Sequence, residues 1–166
     1  MKNNLILFLL IITGYTSCGI YSFTGASIPP EAKTFSVDYF KNNAPNFNPN
    51  LSQQFTELLQ TKLSSQTRLN LTDGKGDLQF KGQIVDYSVS PVALLADETV
   101  AQNRLTIKVK VDFINEFEEK QNFSQTFSRY QDYPAQKLLT EVEPDIVPVI
   151  LELLTDDIFQ KAVVNW

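Results

Sequence analysis

Residues 103–115 alternate without a break. Leu105, Ile107, Val109, Val111 and Phe113 take every second position, and Thr106, Lys108, Lys110 and Asp112 fill the places between them. Successive side chains of a β-strand point to opposite faces, so the segment sets five apolar side chains against a core and its charged ones in water. A strand buried on one face and wet on the other is the mark of an antiparallel sheet covered on one side.

The rest of the chain supplies what pairs with that strand and covers it. Residues 33–40 (KTFSVDYF) alternate, with Phe35, Val37 and Tyr39 on one face, and read as a first strand. Residues 41–50 are rich in Asn and Pro and read as a loop. A helix follows, with Asn48 as its cap and Pro49 at its first position. Leu51, Phe55, Leu58, Leu59 and Leu63 form its apolar stripe. Residues 68–72 form a short strand, and 73–77 (DGKGD) a tight polar turn. In residues 78–90 the apolar parity runs through Leu78, Phe80 and Ile84, then shifts to Val85, Tyr87 and Val89, which predicts a bulge near 84–86. Residues 121–130 return from the turn after residue 115. A second helix spans roughly residues 144–163, with Val147, Ile150, Leu151, Leu154, Ile158 and Ala162 buried, and Pro144 and Pro148 tolerable only near its start. The expected fold is α+β. Two helices pack on one face of a mainly antiparallel sheet of about four to five strands, in the order β-α-β-β-β-β-α.

Lys2 is followed by the apolar run 5–12 (LILFLLII), far short of the roughly 20 residues a membrane-spanning helix needs. Thr16 and Ser17 then lead into Cys18, the chain's one cysteine. This is a bacterial lipoprotein signal: residues 1–17 are removed, and Cys18 is acylated. Tyr15 stands where Leu is usual; the other reading is an ordinary secretory signal with a chance cysteine. Each buried methylene of an acyl chain contributes about 0.8 kcal/mol, and several chains on one cysteine anchor stably. Residues 18–30 are then a lipidated tether, and 31–166 a single domain. Gly19, where an Asp would favour retention at the inner membrane in many bacteria, points to the outer membrane. The absence of an acidic cluster after Cys18 places the body on the periplasmic side.

Composition excludes several function classes. The mature chain carries 13 basic against 19 acidic side chains, which is poor for nucleic acid. There is no histidine, hence no Ser-His-Asp triad and no histidine metal ligand, and with Cys18 acylated no thiol remains. Asp73, Lys75 and Asp77 recur at the spacing of a calcium loop's first ligands. But Lys75 is a cation where a ligand belongs, and Ile84 stands at the final carboxylate position, so the segment reads as a hairpin turn. Glu118-Glu119 and Asp156-Asp157 are adjacent pairs whose side chains do not converge. Gly74 and Gly76 lack the strand–helix context of a phosphate cradle. The expectation is a protein without catalysis, cofactor or metal.

The basic residues carry the remaining signal. Lys108 and Lys110 share the polar face of the best strand, about 7 Å apart. Arg104 precedes them on the same parity, and Arg129 lies on the following strand, where it reaches the same edge or face. Such a row suits anionic lipid headgroups; the bland reading is a solvated face whose lysines discourage aggregation. Leu94 and Leu95, in the loop 91–99, suit contact with a protein or lipid partner, or else fold back to close the core.

The whole mature chain resembles the LptE family of lipopolysaccharide-assembly outer-membrane lipoproteins, in its Bacteroidetes-type form. The resemblance runs through the opening 18–25 (CGIYSFTG), 26–29 (ASIP), the strand 34–39, the segment 80–84 (FKGQI) with Tyr87, the stretch 103–111 (NRLTIKVKV) and the end 157–166 (DIFQKAVVNW). It implies two helices on a sheet of about four strands and no enzymatic activity. It also implies residence in the lumen of a large LptD-type outer-membrane β-barrel, and a part in delivering and binding lipopolysaccharide. Basic residues at a sheet end are implicated in that binding, which makes Arg104, Lys108, Lys110 and Arg129 the candidates here. The competing function is a free-standing periplasmic lipid- or peptide-binding lipoprotein, whose sign would be an apolar cavity in place of a packed core.

Overall fold

A computed structural model describes residues 28–46, 48–93 and 101–164; the expectations for Cys18, Leu94 and Leu95 lie outside the described residues. In chain order the elements are β1 (Thr34–Val37), β2 (Lys41–Asn42), α1 (Leu51–Gln66), β3 (Asn70–Leu71), β4 (Leu78–Val92) and β5 (Gln102–Asn115). A 3-10 turn (Glu119–Gln121), β6 (Phe123–Pro134) and α2 (Leu139–Phe159) follow, and α2 runs into a π-helical turn (Gln160–Val164). The architecture is the expected α+β one, with six strands in the sheet and one more element, β2, than the sequence suggested.

The sheet order is β3-β1-β4-β5-β6, with β2 also on β4. The long pairings are antiparallel: β4 with β5 from Leu78–Asn115 to Val92–Gln102, and β5 with β6 from Gln102–Pro134 to Phe113–Phe123. The short ones, β1 and β2 on β4 and β3 on β1, are parallel and make the sheet mixed. The expected bulge is present: the register shifts between Ile84 and Asp86, which returns Tyr87 to the core face. Leu105, Ile107, Val109, Val111 and Phe113 are all fully or almost fully buried, in one continuous cluster with Leu51, Phe55, Leu59 and Leu63 of α1 and Val147, Ile150, Leu151, Leu154 and Ile158 of α2. Both helices therefore cover the same face.

Five local expectations are corrected. The strand expected over 33–40 breaks after Val37: Tyr39 is 58% exposed, and Phe40, not Tyr39, enters the core. The reason is packing. Phe40 sits over Gly82 and meets Phe55 edge-on at 5.0 Å, and its N–H donates to Thr56 Oγ1 at 3.1 Å. The supposed loop then pairs again with β4 as β2. Helix α1 begins at Leu51 rather than at Pro49, because Asn48 closes a turn ahead of it: its Oδ1 accepts from Asn50 N–H at 2.9 Å, and its amide donates to Glu143 on α2 at 2.7 Å.

Helix α2 begins at Leu139, so Pro144 and Pro148 lie inside it. Both are exposed, as is Thr140, and the carbonyls of Thr140 and Pro144 lose their helical donors. Finally, residues 73–77 are a crossover rather than a hairpin turn. They carry the chain from β3 over β1 to β4. Gly76 lies flat on β1, where a Cβ would meet Phe35 C and Ser36 N at 2.6 Å.

Candidate functional site

The register fixes what faces away from the helices. Across β4, β5 and β6 the rows are Ser90–Arg104–Asp132, Ser88–Thr106–Tyr130, Asp86–Lys108–Ser128, Gln83–Lys110–Thr126 and Lys81–Asp112–Ser124. Directly opposed residues of an antiparallel pair share a face, so these rows form one polar surface. Arg104, Lys108 and Lys110 stand along its middle strand, as expected. Arg129 does not join them. It opposes Ile107, a core residue, and so points to the helix side, where its Nε donates to Asp157 Oδ2 of α2 at 2.6 Å. That hydrogen bond raises the guanidinium pKa further. Its strand position, one residue out of phase with the outer face, separates it from the other three.

The three that share the face differ in how far their charge is already balanced. Arg104 holds Asp132 with two parallel hydrogen bonds, Nε to Oδ1 at 2.7 Å and Nη2 to Oδ2 at 2.9 Å, and lies over the Tyr130 ring at 3.6 Å. The pair raises the Arg104 pKa and lowers that of Asp132. Lys108 Nζ lies 3.1 Å from Asp86. Lys110 is exposed and has no ion-pair partner among the described residues. Neither have Lys41, set on the same face by its pairing with Gln83, and Lys81, two residues before Gln83 on β4.

These three lysines surround Gln83. Lys41 and Lys110 flank it on the neighbouring strands, about 10 Å apart, and Lys81 lies about 7 Å along the strand. Gln83 is neutral, and its carbonyl accepts from Asn43 at 2.7 Å. Asp112, opposite Lys81, accepts from the Ser124 hydroxyl, Asp38 lies beside Lys81 on the other side with its N–H on Phe80 O at 2.9 Å, and neither makes an ion pair among the described residues. At such spacing in water like charges repel by only about 0.4 kcal/mol per pair, while an anion at about 4 Å from one ammonium gains roughly 1 kcal/mol. The arrangement suits a phosphate-bearing ligand at the surface. Sequence reasoning missed both extra lysines. The parity of Leu78, Phe80 and Ile84 placed Lys81 outward, but nothing in the Asn-rich stretch signalled that Lys41 pairs with the sheet.

Elsewhere the polar groups are structural. The helices run side by side in the same direction, joined by Asn48 to Glu143 at one end and by Lys62 to Glu152 (3.2 Å) and Asp156 at the other. Burial pushes the Lys62 ammonium pKa down, but the hydrogen bonds of Asp156 and Glu152 outweigh it and leave the pKa raised. Tyr87 donates to Glu143, and burial followed by that carboxylate raises its pKa well above the ordinary phenol value. Asp77 accepts from the N–H groups of Lys33 and Thr34 and from the Thr34 hydroxyl, each at 2.9 Å, so its carboxylate ties the crossover to β1. The cleft between the helices, about 430 Å³, is lined by Gln54, Glu57, Thr61 and Glu152 beside Leu58, Pro148 and Leu151. Among the described residues no three His, Cys, Asp or Glu side chains gather to hold a metal, and no helix is long and apolar enough to cross a membrane.

Solved structures share this fold. A minor lipoprotein from Acinetobacter baumannii matches with TM-score 0.50 and 12% identity, over 78% of this chain and 91% of that one. A putative neuraminyllactose-binding hemagglutinin homolog from Helicobacter pylori matches with TM-score 0.51 and 9% identity, over 81% and 87%. The hypothetical protein CT253 from Chlamydia trachomatis matches with TM-score 0.50 and 8% identity, over 79% and 98%. At such identities the likeness establishes the fold alone. No curated protein matches the chain. The LptE family model, described as lipopolysaccharide-assembly, matches residues 32–162, from the residue before β1's approach to the π-helical end of α2, and the chain belongs to that family.

Proposed function

We propose that this protein is an acylated outer-membrane lipoprotein that partners an LptD-type barrel and assists the passage of lipopolysaccharide, without catalysis. The observation that carries the reading beyond family membership is the outer sheet face. In an acidic chain it sets Lys41, Lys81 and Lys110, all without ion pairs among the described residues, around one neutral side chain. Phosphate groups of lipopolysaccharide are anions of matching size and reach. Arg104 and Lys108 extend the same face with charges already balanced by Asp132 and Asp86, and contribute to orientation more than to net attraction. Arg129 holds β6 to α2 from the other side. The packed helix–sheet core and the carboxylates and amides along the interhelical cleft support a plug rather than a free-standing lipid carrier. Acylated Cys18 keeps the domain at the membrane, and Leu94 and Leu95, between β4 and β5 in the sequence, are the candidate partner contacts.

The test is a mild-detergent purification of the acylated protein from its own outer membrane. A stoichiometric barrel of the LptD type is the expected companion. Recovery of the protein alone, under conditions that preserve other outer-membrane complexes, would overturn the partnership and leave a free-standing lipid-binding lipoprotein.

A further inference from the structure

The two edges of the sheet are unlike. On one side the sheet ends in β3, two residues long. On the other it ends in β6, twelve residues long, and among the described residues no strand pairs with its outer side. Natural sheets blunt a long edge with lysines, internal prolines, bulges or a short run. β6 has no lysine, internal proline, bulge or short run, and its two charged side chains, Arg129 and Asp132, are taken up in ion pairs with Asp157 and Arg104. Its pairing with β5 is unbroken from Phe123 to Pro134, and its one proline is its last residue. A row of unpaired backbone N–H and C=O groups about 40 Å long is complementary to one thing, another extended backbone. Beside it the end of α2 leaves a groove of about 480 Å³, where Gln125, Phe127, Arg129 and Lys161 offer seats for the side chains of an added strand.

We propose that the outer edge of β6 is a strand-addition site occupied by an extended segment of the barrel partner, a proposal that rests on the partnership put forward above. The wall strands of a closed barrel are already paired on both sides, so the segment is a loop or terminal stretch of that protein. A second copy of this chain is the weaker fit. The described chain begins at Ile28 beside the turn after β5: Pro29 O accepts from Arg68, and Asp77 links Lys33 to Glu116 N–H. Antiparallel pairing of two β6 strands would put those ends about 40 Å apart along the strand. Ten residues (18–27) reach at most about 35 Å, so two copies standing upright in one leaflet could not both keep their anchors in the membrane.

The test uses the full-length acylated protein in its own outer membrane. A photo-crosslinking residue is placed at Ser128 on β6 and, as a comparison, at Ser64 on the exposed side of α1. In parallel, Gln125→Pro and Thr126→Pro are made. Of two consecutive strand residues one points its N–H into the sheet and the other outward. One variant therefore weakens the β5–β6 pairing, and the other keeps the fold and blocks only an added strand. The expected result is a crosslink from Ser128 to the barrel, and at least tenfold less barrel recovered with the proline variant whose melting temperature is unchanged. Barrel crosslinks from Ser64 but not Ser128, with undiminished recovery for the folded proline variant, would overturn the edge site and leave the partnership standing. Crosslinks between two copies from Ser128 would replace the barrel segment with a self-pairing edge. No barrel crosslink from either position, and no barrel recovered with the unsubstituted protein, would overturn both readings.

Discussion

Replacing Gly82 with alanine should destabilise the domain more than a typical single substitution. Gly82 lies on the core face of β4, opposite Val111. A Cβ added there would stand 2.0 Å from the carbonyl oxygen of Lys110 and 2.7 Å from Cε1 of Phe40. The Phe40 ring can turn only by giving up its edge contact with Phe55; the Lys110 carbonyl is part of the β4–β5 ladder and cannot turn at all. Restoring ordinary contact requires the two strands to part by more than about 1 Å. That loosens two or three ladder hydrogen bonds at about 1 kcal/mol each, with about 1–3 kcal/mol of overpacking around Phe40. The lower chain entropy of alanine returns only about 0.5–1 kcal/mol. The net cost is about 3–4 kcal/mol, or roughly a 10 °C fall in Tm for a domain of this size. The assay is thermal and urea unfolding of the protein secreted without its acyl chains (Cys18→Ala), beside Gly74→Ala, where nothing lies within 4 Å and only the backbone conformation, φ 122°, resists. Gly74→Ala should cost about 1 kcal/mol. A Gly82→Ala protein that melts with or above the parent would refute the close approach of Phe40 and Lys110 on which this account of β1, β2 and α1 rests.

Asp77→Asn should cost about 1–2 kcal/mol at pH 7, since it weakens the bonds to Lys33 and Thr34. Because those bonds, led by the one from Lys33 N–H, lower the folded-state pKa of Asp77, its contribution is present above the unfolded carboxylate pKa and is lost as pH falls through the folded value. Urea unfolding of parent and variant should converge as the pH falls below the ordinary carboxylate range. A constant gap from pH 7 to pH 2.5 would contradict the assignment. Pro148→Ala restores a donor to the Pro144 carbonyl on the exposed side of α2 and should raise stability by about 1 kcal/mol; a loss of stability would mean that the proline shapes the helix for a contact not yet identified.

How much of this was readable before the structure depends on what each segment's neighbours do. β5 announced itself because one of its faces is all core and the other all polar. The bulge in β4 was legible because a parity shift has a single geometric cause. Phe40 was misplaced because its burial depends on Gly82, forty-two residues away in sequence, and no periodicity within 33–40 records that contact. The start of α2 was missed because proline is disfavoured in helix interiors by its own chemistry, and only the exposed placement of Pro144 and Pro148 makes them tolerable. Among the candidate residues, Arg104, Lys108 and Lys110 were assigned to the outer face by parity alone. Arg129 was separable by the same rule, since it shares its parity on β6 with Phe123 and Phe127, opposite to Ser124, Thr126 and Ser128. Lys41 comes to the face only through a two-residue parallel pairing that local sequence does not encode.

The central claim is that the wet face of the sheet meets the phosphates of lipopolysaccharide through Lys41, Lys81 and Lys110. The most direct measurement is the equilibrium binding of purified lipopolysaccharide to the acyl-free protein and to the triple variant Lys41→Gln, Lys81→Gln, Lys110→Gln, with melting curves for both and the binding repeated on enzymatically dephosphorylated lipopolysaccharide. Three surface phosphate contacts at about 1 kcal/mol each predict a loss of roughly 100-fold in affinity for the triple variant, an unchanged melting temperature, and a similar loss for the unsubstituted protein on the dephosphorylated ligand. Equal affinity for the two proteins, with both folded, would contradict the claim.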